Sequence, residues 1–153
     1  FEYAYSEITR LRSIISGHDL FRLSQVQIEE YLRDIKFSHS EINDLMHQFT
    51  FDQATSIIEV DSRAKLVLSE ARSLYIEANN YFVINELYLS DEASKLAKDM
   101  LENLDTYWQY SSESSDIENN VARNRADTRS NLYKINEEFR KTMKSDLKKS
   151  FSE

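Results

Sequence analysis

The 153-residue sequence has no proline, no cysteine and a single glycine. Hairpins and sheet corners rely on proline's fixed φ and on glycine's access to positive φ, so their near-absence removes the usual means of building β structure. Without cysteine there is no disulfide and no thiolate zinc site. Long apolar runs are missing too. The longest, YFVI at 81–84, falls far short of the roughly 20 residues that a membrane-spanning helix needs. The pattern at Phe1 is amphipathic from the first residue and shows no secretory leader, the expectation for a domain taken from a longer chain.

What is present points one way. Hydrophobic residues make up 41% of the chain, with 9 Tyr and 8 Phe, enough for a real core and too many for a disordered segment. The length suits one domain, residues 1–153. The class expected is all-α.

Net charge is −8, unevenly placed. Residues 1–50 carry 5 basic and 8 acidic groups, residues 51–112 carry 5 and 11, and residues 113–153 carry 9 and 8. Overall acidity argues against nucleic acid as a partner, because neutralising phosphates takes a basic surface. The Lys-rich stretch RKTMKSDLKK at 140–149 is explained by cations offsetting a helix dipole at its C-terminus, with a partner-facing or membrane-facing surface as the other reading.

Heptad spacing organises the chain into four helices. Positions 21, 24, 28, 31, 35, 38, 42, 45 and 49 read Phe, Ser, Ile, Tyr, Ile, Ser, Ile, Leu, Phe. Before the glycine, Phe1, Ala4, Ile8, Leu11, Ile15 and His18 follow the same steps in another phase, and the two registers part at Gly17. A long first helix over 1–49 is expected, kinked or broken at Gly17, with Asp19 able to cap a restart. A second seam runs Ile57, Val60, Ala64, Val67, Ala71, Leu74, Ala78 and Tyr81, with Asp52 or Thr50 as N-cap. Ser90, followed by Asp91 and Glu92, starts a third helix, unless an earlier turn falls at Asn79-Asn80. YSSESSD at 110–116 reads as a loop with Asp116 as the next cap, and the last helix places Ile117, Val121, Leu132, Ile135, Phe139, Met143 and Leu147 inward. Packed up-down-up-down, these lengths make a four-helix bundle with both termini at one end, residues 1–15 and 136–150 forming a two-helix stalk.

Chemistry is sparse. His18, His39 and His47 lack the one-turn spacing of paired ligands, so no metal and no cofactor is expected. No phosphate loop, nucleophile elbow or zincin motif occurs, and the carboxylates sit beside basic residues at helical spacing, so no catalytic residue is expected. The best candidate site is the polar insertion NNVARNRADTRSN at 119–131. Asn124, Thr128 and Asn131 fall on the apolar stripe, Arg125 and Arg129 lie four apart, and Arg123 flanks them; Arg63 and Arg72 on the second helix are expected to face the same region. Paired guanidinium groups with amide neighbours suit a small anionic ligand, while a hydrated, thin end of the bundle would explain the same residues without one. The aromatics at 75–88 and 107–110 are accounted for mainly by core packing.

In layout the chain resembles the extracytoplasmic four-helix sensor domains of bacterial chemoreceptors, sensor kinases and diguanylate cyclases, and ARSLYIEANNYFVINELYLSDEASKL at 71–96 is loosely similar to the segment joining their second and third helices. No diagnostic motif carries the resemblance, and no ligand residue transfers from it. It implies a periplasmic domain of an inner-membrane receptor, joined to the membrane by flanking segments and working as a homodimer. Such a domain senses a small ligand and passes a helix displacement to a cytoplasmic output, with Gly17 as a hinge. The competing expectation is a non-enzymatic helical interaction module, cytoplasmic or otherwise.

Overall fold

The computed structural model describes residues 1–113 and 118–152. They form seven α-helices, α1 (Glu2–Thr9), α2 (Gly17–Leu20), α3 (Gln25–Asp34), α4 (His39–Gln48), α5 (Gln53–Asn85), α6 (Asp91–Ser112) and α7 (Glu118–Ser150), with a 3-10 turn at Glu86–Tyr88. The described residues contain no β-strand. The protein is all-helical, and no helix among those residues is long and apolar enough to cross a membrane.

The largest departure from the heptad reading lies in the first third. Residues 1–49 fold as four short helices, not one long one. The heptad positions are still mostly buried, Ile28, Tyr31, Ile35, Ile42, Leu45 and Phe49 among them. The two serines on that seam are the breaks. Ser24 and Ser38 are N-caps with full capping boxes: Ser24 Oγ accepts from the Gln27 amide and Ser38 Oγ from the Glu41 amide, while Gln27 and Glu41 reach back to the cap amides. Each box satisfies two backbone donors that a helix start leaves open. Between α3 and α4 the chain turns through Lys36 at φ 68°. The Phe37 amide donates to the Leu32 carbonyl (3.0 Å) and the Lys36 amide to the Arg33 carbonyl (2.9 Å), the Schellman arrangement that closes a helix.

Gly17 is not inside a long helix. It opens α2 after the N-cap Ser16, whose Oγ accepts from the Asp19 amide. Asp19 thus lies within the first turn, not at the cap. A Cβ at Gly17 would come within 2.4 Å of Ile57 Cγ2, and its amide donates to Asp61 Oδ1 at 3.1 Å. The glycine is required by the close approach of α2 to α5, and the apparent phase change reflects the chain leaving helix altogether between Arg10 and Ser16.

The long helices follow their local signals. Asp52 caps α5 by accepting from the Thr55 amide, and Ser90 caps α6 by accepting from the Ala93 amide. Asn79 and Asn80 lie inside α5, and the reversal comes later, through the 3-10 turn. Residues 110–112 belong to α6, and the expected cap Asp116 and the apolar Ile117 lie outside the described residues.

α5, α6 and α7 alternate in direction. Trp108 Nε1 donates to the Leu68 carbonyl (2.9 Å), and Ser90 Oγ meets Asp146 at one end while Arg125 meets Ser111 at the other. α1 packs on α5 and α6, burying Ala4 and Ile8. Phe1 stacks near Phe82 and Phe139, and Glu2 pairs with Arg140 at 2.6 Å. The N-terminus therefore lies beside the last third of α7, but residues 1–11 are built into the body and form no projecting stalk. α2 and α4 pack against α5 and α3 packs against α4, with Phe21 edge-on to Phe49 at 5.3 Å.

Candidate functional site

The site grows out of the one long stretch of the first third that is not helical, residues 10–16. Backbone groups outside a helix need other partners, and here side chains from three helices supply them. Tyr107 of α6 donates to the carbonyls of Thr9 (3.3 Å) and Leu11 (3.2 Å). Tyr31 of α3 accepts from the Ile15 amide (3.2 Å) and is also within reach of the Ile15 carbonyl (3.3 Å). Arg125 of α7 donates to the Leu11 carbonyl, to Ser13 Oγ (3.0 Å) and to Ser111 Oγ (3.2 Å), and its guanidinium lies 5.2 Å from the Tyr107 ring centre. Burial pushes the Tyr31 hydroxyl above the usual phenol range, despite its hydrogen bond to the Ile15 backbone. A neutral hydroxyl can then serve the backbone as both donor and acceptor.

Beside this segment an open cleft of about 1250 Å³ runs between residues 9–15, the end of α3, the middle of α5 and Arg125 and Arg129 of α7. Six cations line it, Arg10, Arg12, Arg33, Lys36, Arg125 and Arg129. Three carboxylates face them, Glu7, Asp34 and Glu70. Arg12 is paired with Asp34 (2.8 Å) and Lys36 with Glu7 (3.1 Å). Arg129 is exposed and makes no ion pair with any described residue. In a chain of net charge −8 the cleft is a local excess of positive charge.

The expected site residues divide accordingly. Arg125 and Arg129 come to one cleft. Thr128 is buried on the α7 stripe, but its hydroxyl donates to the Asn124 carbonyl of its own helix (2.8 Å). Arg123, Asn124 and Asn131 are exposed, so the stripe runs through Arg125, Thr128 and Leu132 instead of the two asparagines. Arg63 and Arg72 do not join them. Arg63 donates to the Lys36 carbonyl (2.9 Å) and covers the Phe37 ring at 4.3 Å, tying α5 to the α3–α4 turn. Arg72 pairs with Asp105 and lies over Tyr75 (4.6 Å) and Trp108 (5.0 Å), clamping α5 to α6. Arg10, Arg12, Arg33 and Lys36 were missed as cleft residues, because only tertiary packing brings the 10–16 segment and the end of α3 beside α5 and α7. Tyr31 and Tyr107 look like core aromatics in sequence, and nothing there marks their hydroxyls as backbone partners.

Among the described residues no group of three or more His, Asp or Glu side chains is placed to hold a metal ion. No family model matches this chain, and neither a curated protein nor a solved structure matches it.

Proposed function

We propose that this chain is a non-catalytic ligand-sensing domain that takes a small anion into the cleft beside residues 10–16. The observation that carries the reading is the excess of cations there, six against three carboxylates, in an otherwise acidic protein. Anions of carboxylate or phosphate type suit guanidinium donors, and Arg129 offers an exposed one at the rim. Arg125 acts differently. Three of its donors already hold Leu11, Ser13 and Ser111, so it couples the cleft wall to α6 and α7.

Such a site can drive a displacement only if the anion binds two arrangements of α7 unequally. Drawing Arg129 towards Arg33 across the cleft does this, since α7 is tied to the 10–16 segment through Arg125. In this reading α1, α5, α6 and α7 are the members of a four-helix bundle, with residues 10–49 inserted into its first leg. The domain belongs on the outer side of a bacterial inner membrane, within a signalling receptor whose output lies beyond the chain described here. A second reading, a helical interaction module, is favoured by one observation: Tyr81, Val83, Ile84, Leu87 and Tyr88 are exposed together at the end of α5.

Titration calorimetry with phosphate, sulfate and small dicarboxylates separates the two. Sensing predicts saturable binding of at least one anion and its loss in Arg129→Ala, with the fold unchanged. Arg125→Ala should lower stability without any ligand, by about 2–3 kcal/mol for lost charge-assisted hydrogen bonds. An Arg129→Ala protein that binds as the parent does, or no binding of any anion, removes the sensing reading.

A further inference from the structure

α5 carries heptad-spaced rows on two opposite faces, the inward one apolar and the outward one mixed, with its apolar residues gathered towards the C-terminal end. Its inward face carries Ala64, Ala71 and Ala78, seven residues apart and all buried, together with Val67, Leu68 and Phe82. Its outward face repeats the pattern half a turn away. Leu66, Ser69, Ser73, Ile76, Asn80 and Val83 follow steps of three and four without a break, and every one is exposed. Leu87, 94% exposed in the 3-10 turn, extends the row, and Ile84 widens it.

From this we infer that a second copy of the chain docks on the outer face of α5, its own α5 parallel and in register. Three features of the row select that occupant. The sequence of alternating three and four steps is the seam of a two-stranded coiled coil, with Leu66, Ser73 and Asn80 at one set of core positions and Ser69, Ile76 and Val83 at the other, and Leu87 just past the helix end. Asn80 falls in the first set, where a buried asparagine pairs with its counterpart and fixes register and two-strandedness at a cost in stability. The flanking charges are complementary only in the parallel arrangement. Lys65 and Arg72 precede the seam and Glu70 and Glu77 follow it, so parallel packing sets Lys65 against Glu70 of the second copy and Arg72 against its Glu77. Antiparallel packing sets glutamate against glutamate and cation against cation. Arg72 is already engaged by Asp105, and Glu70 lies 3.9 Å from Lys36, a longer and more exposed pair, so Lys65 and Glu70 carry most of the choice. Exposed pairs of this kind add little affinity, and their role is orientation. Small Ser69 and Ser73 let the two helices approach closely, and the apolar contact is concentrated from Ile76 to Leu87.

The inference does not rest on anion binding, although Glu70 and Ser73 line the cleft as well as belonging to this face of α5. Because the chain has no cysteine, single-cysteine variants of the full chain report the geometry directly. Val83→Cys and Ser69→Cys should each form disulfide-linked dimers with themselves under mild oxidation, while Ser130→Cys, exposed on α7, should not. Sedimentation of the parent should show a monomer–dimer equilibrium, shifted to monomer by Lys65→Glu and restored when Glu70→Lys is added. Ser69→Cys and Val83→Cys that link only when mixed would show antiparallel packing and overturn the register. A parent that stays monomeric at every concentration, with Val83→Cys linking no faster than Ser130→Cys, would overturn the dimer altogether. Ser69→Cys, Val83→Cys and Lys65→Glu lie outside the cleft lining, so their results leave the anion reading to its own titration, whereas Glu70→Lys alters that lining and is read by sedimentation alone; Arg129→Ala should leave dimerisation unchanged.

Discussion

Residues 1–49 and residues 53–150 carry apolar residues at the same helical spacing, yet the first part folds as four helices of 4–10 residues and the second as helices of 33, 22 and 33. Periodicity says which side of a segment meets the core. It does not say whether the chain runs straight between successive buried residues. In the first part Ser24 and Ser38 occupy seam positions three residues ahead of a Gln and a Glu, and the reciprocal cap wins over helix continuation. In the second part hydroxyl residues inside the helices, such as Ser73 and Thr106, bond back to carbonyls four residues earlier and the helix goes on. Thr106 has Gln109 three residues downstream, just as Ser24 has Gln27, so the difference lies in whether tertiary partners reward a bend.

The comparison is broken most severely at Gly17. Gly17→Ala forces a methyl against Ile57, so thermal or denaturant unfolding should show a loss of about 1–3 kcal/mol, as for overpacking in other cores. Ile57→Ala added to it should recover part of the loss; if the double variant is as unstable as the sum of the singles, close approach is not the reason for the glycine. Next in size are the caps. Ser24→Ala and Ser38→Ala should each cost about 1 kcal/mol. Hydrogen exchange should rise in α3 and α4 and stay unchanged in α6 and α7. Equal loosening across α7 would mean that the two parts are one cooperative unit. Smaller, and of opposite sign, is Lys36→Gly. A lysine at φ 68° holds a left-handed conformation that costs L-residues about 1–2 kcal/mol, and glycine relieves it. The gain in melting midpoint is reduced by glycine's greater unfolded freedom and by loss of the Glu7 pair.

The smallest effect is electrostatic and lies at the far end of the long helices. Lys98 chiefly, then Ser94, hold the Glu86 carboxyl below its ordinary value. A carboxylate favoured by the fold contributes above its unfolded titration and loses that contribution as pH falls through the folded one. Nuclear magnetic resonance titration should place the Glu86 midpoint below that of a free glutamate, and Lys98→Met should return it.

Much of the second part was legible in sequence. Asp52 and Ser90 announce their helices, acids in the first turn support the cap at Ser90, and the seam from Val60 to Ala78 matches the buried side of α5. The capping boxes of the first part were also written there, as SQVQ and SHSE, but a seam drawn through both serines hides them. The candidate site was legible only on one helix. Arg125 and Arg129 announce themselves by their spacing, whereas Arg10, Arg12, Arg33 and Lys36 enter the cleft because the 10–16 segment and the end of α3 are packed beside α5 and α7. Arg63 and Arg72 were drawn elsewhere by Phe37 and by Asp105 with Trp108.

By itself the sequence determined the helical class, through the lack of proline and glycine, and the limits of the long helices, through caps that act within four residues. It also determined the apolar inward seam of α5, since a 3.6-residue period is a local property of the chain. Tertiary structure alone decided where the first third bends, which cations share a cleft and why Gly17 bears no side chain. Those outcomes depend on atoms far apart in sequence: Ile57 against Gly17, Tyr107 and Arg125 against Leu11, Arg63 against the turn at Lys36. A pattern along one chain segment carries no record of the surface that will be pressed against it.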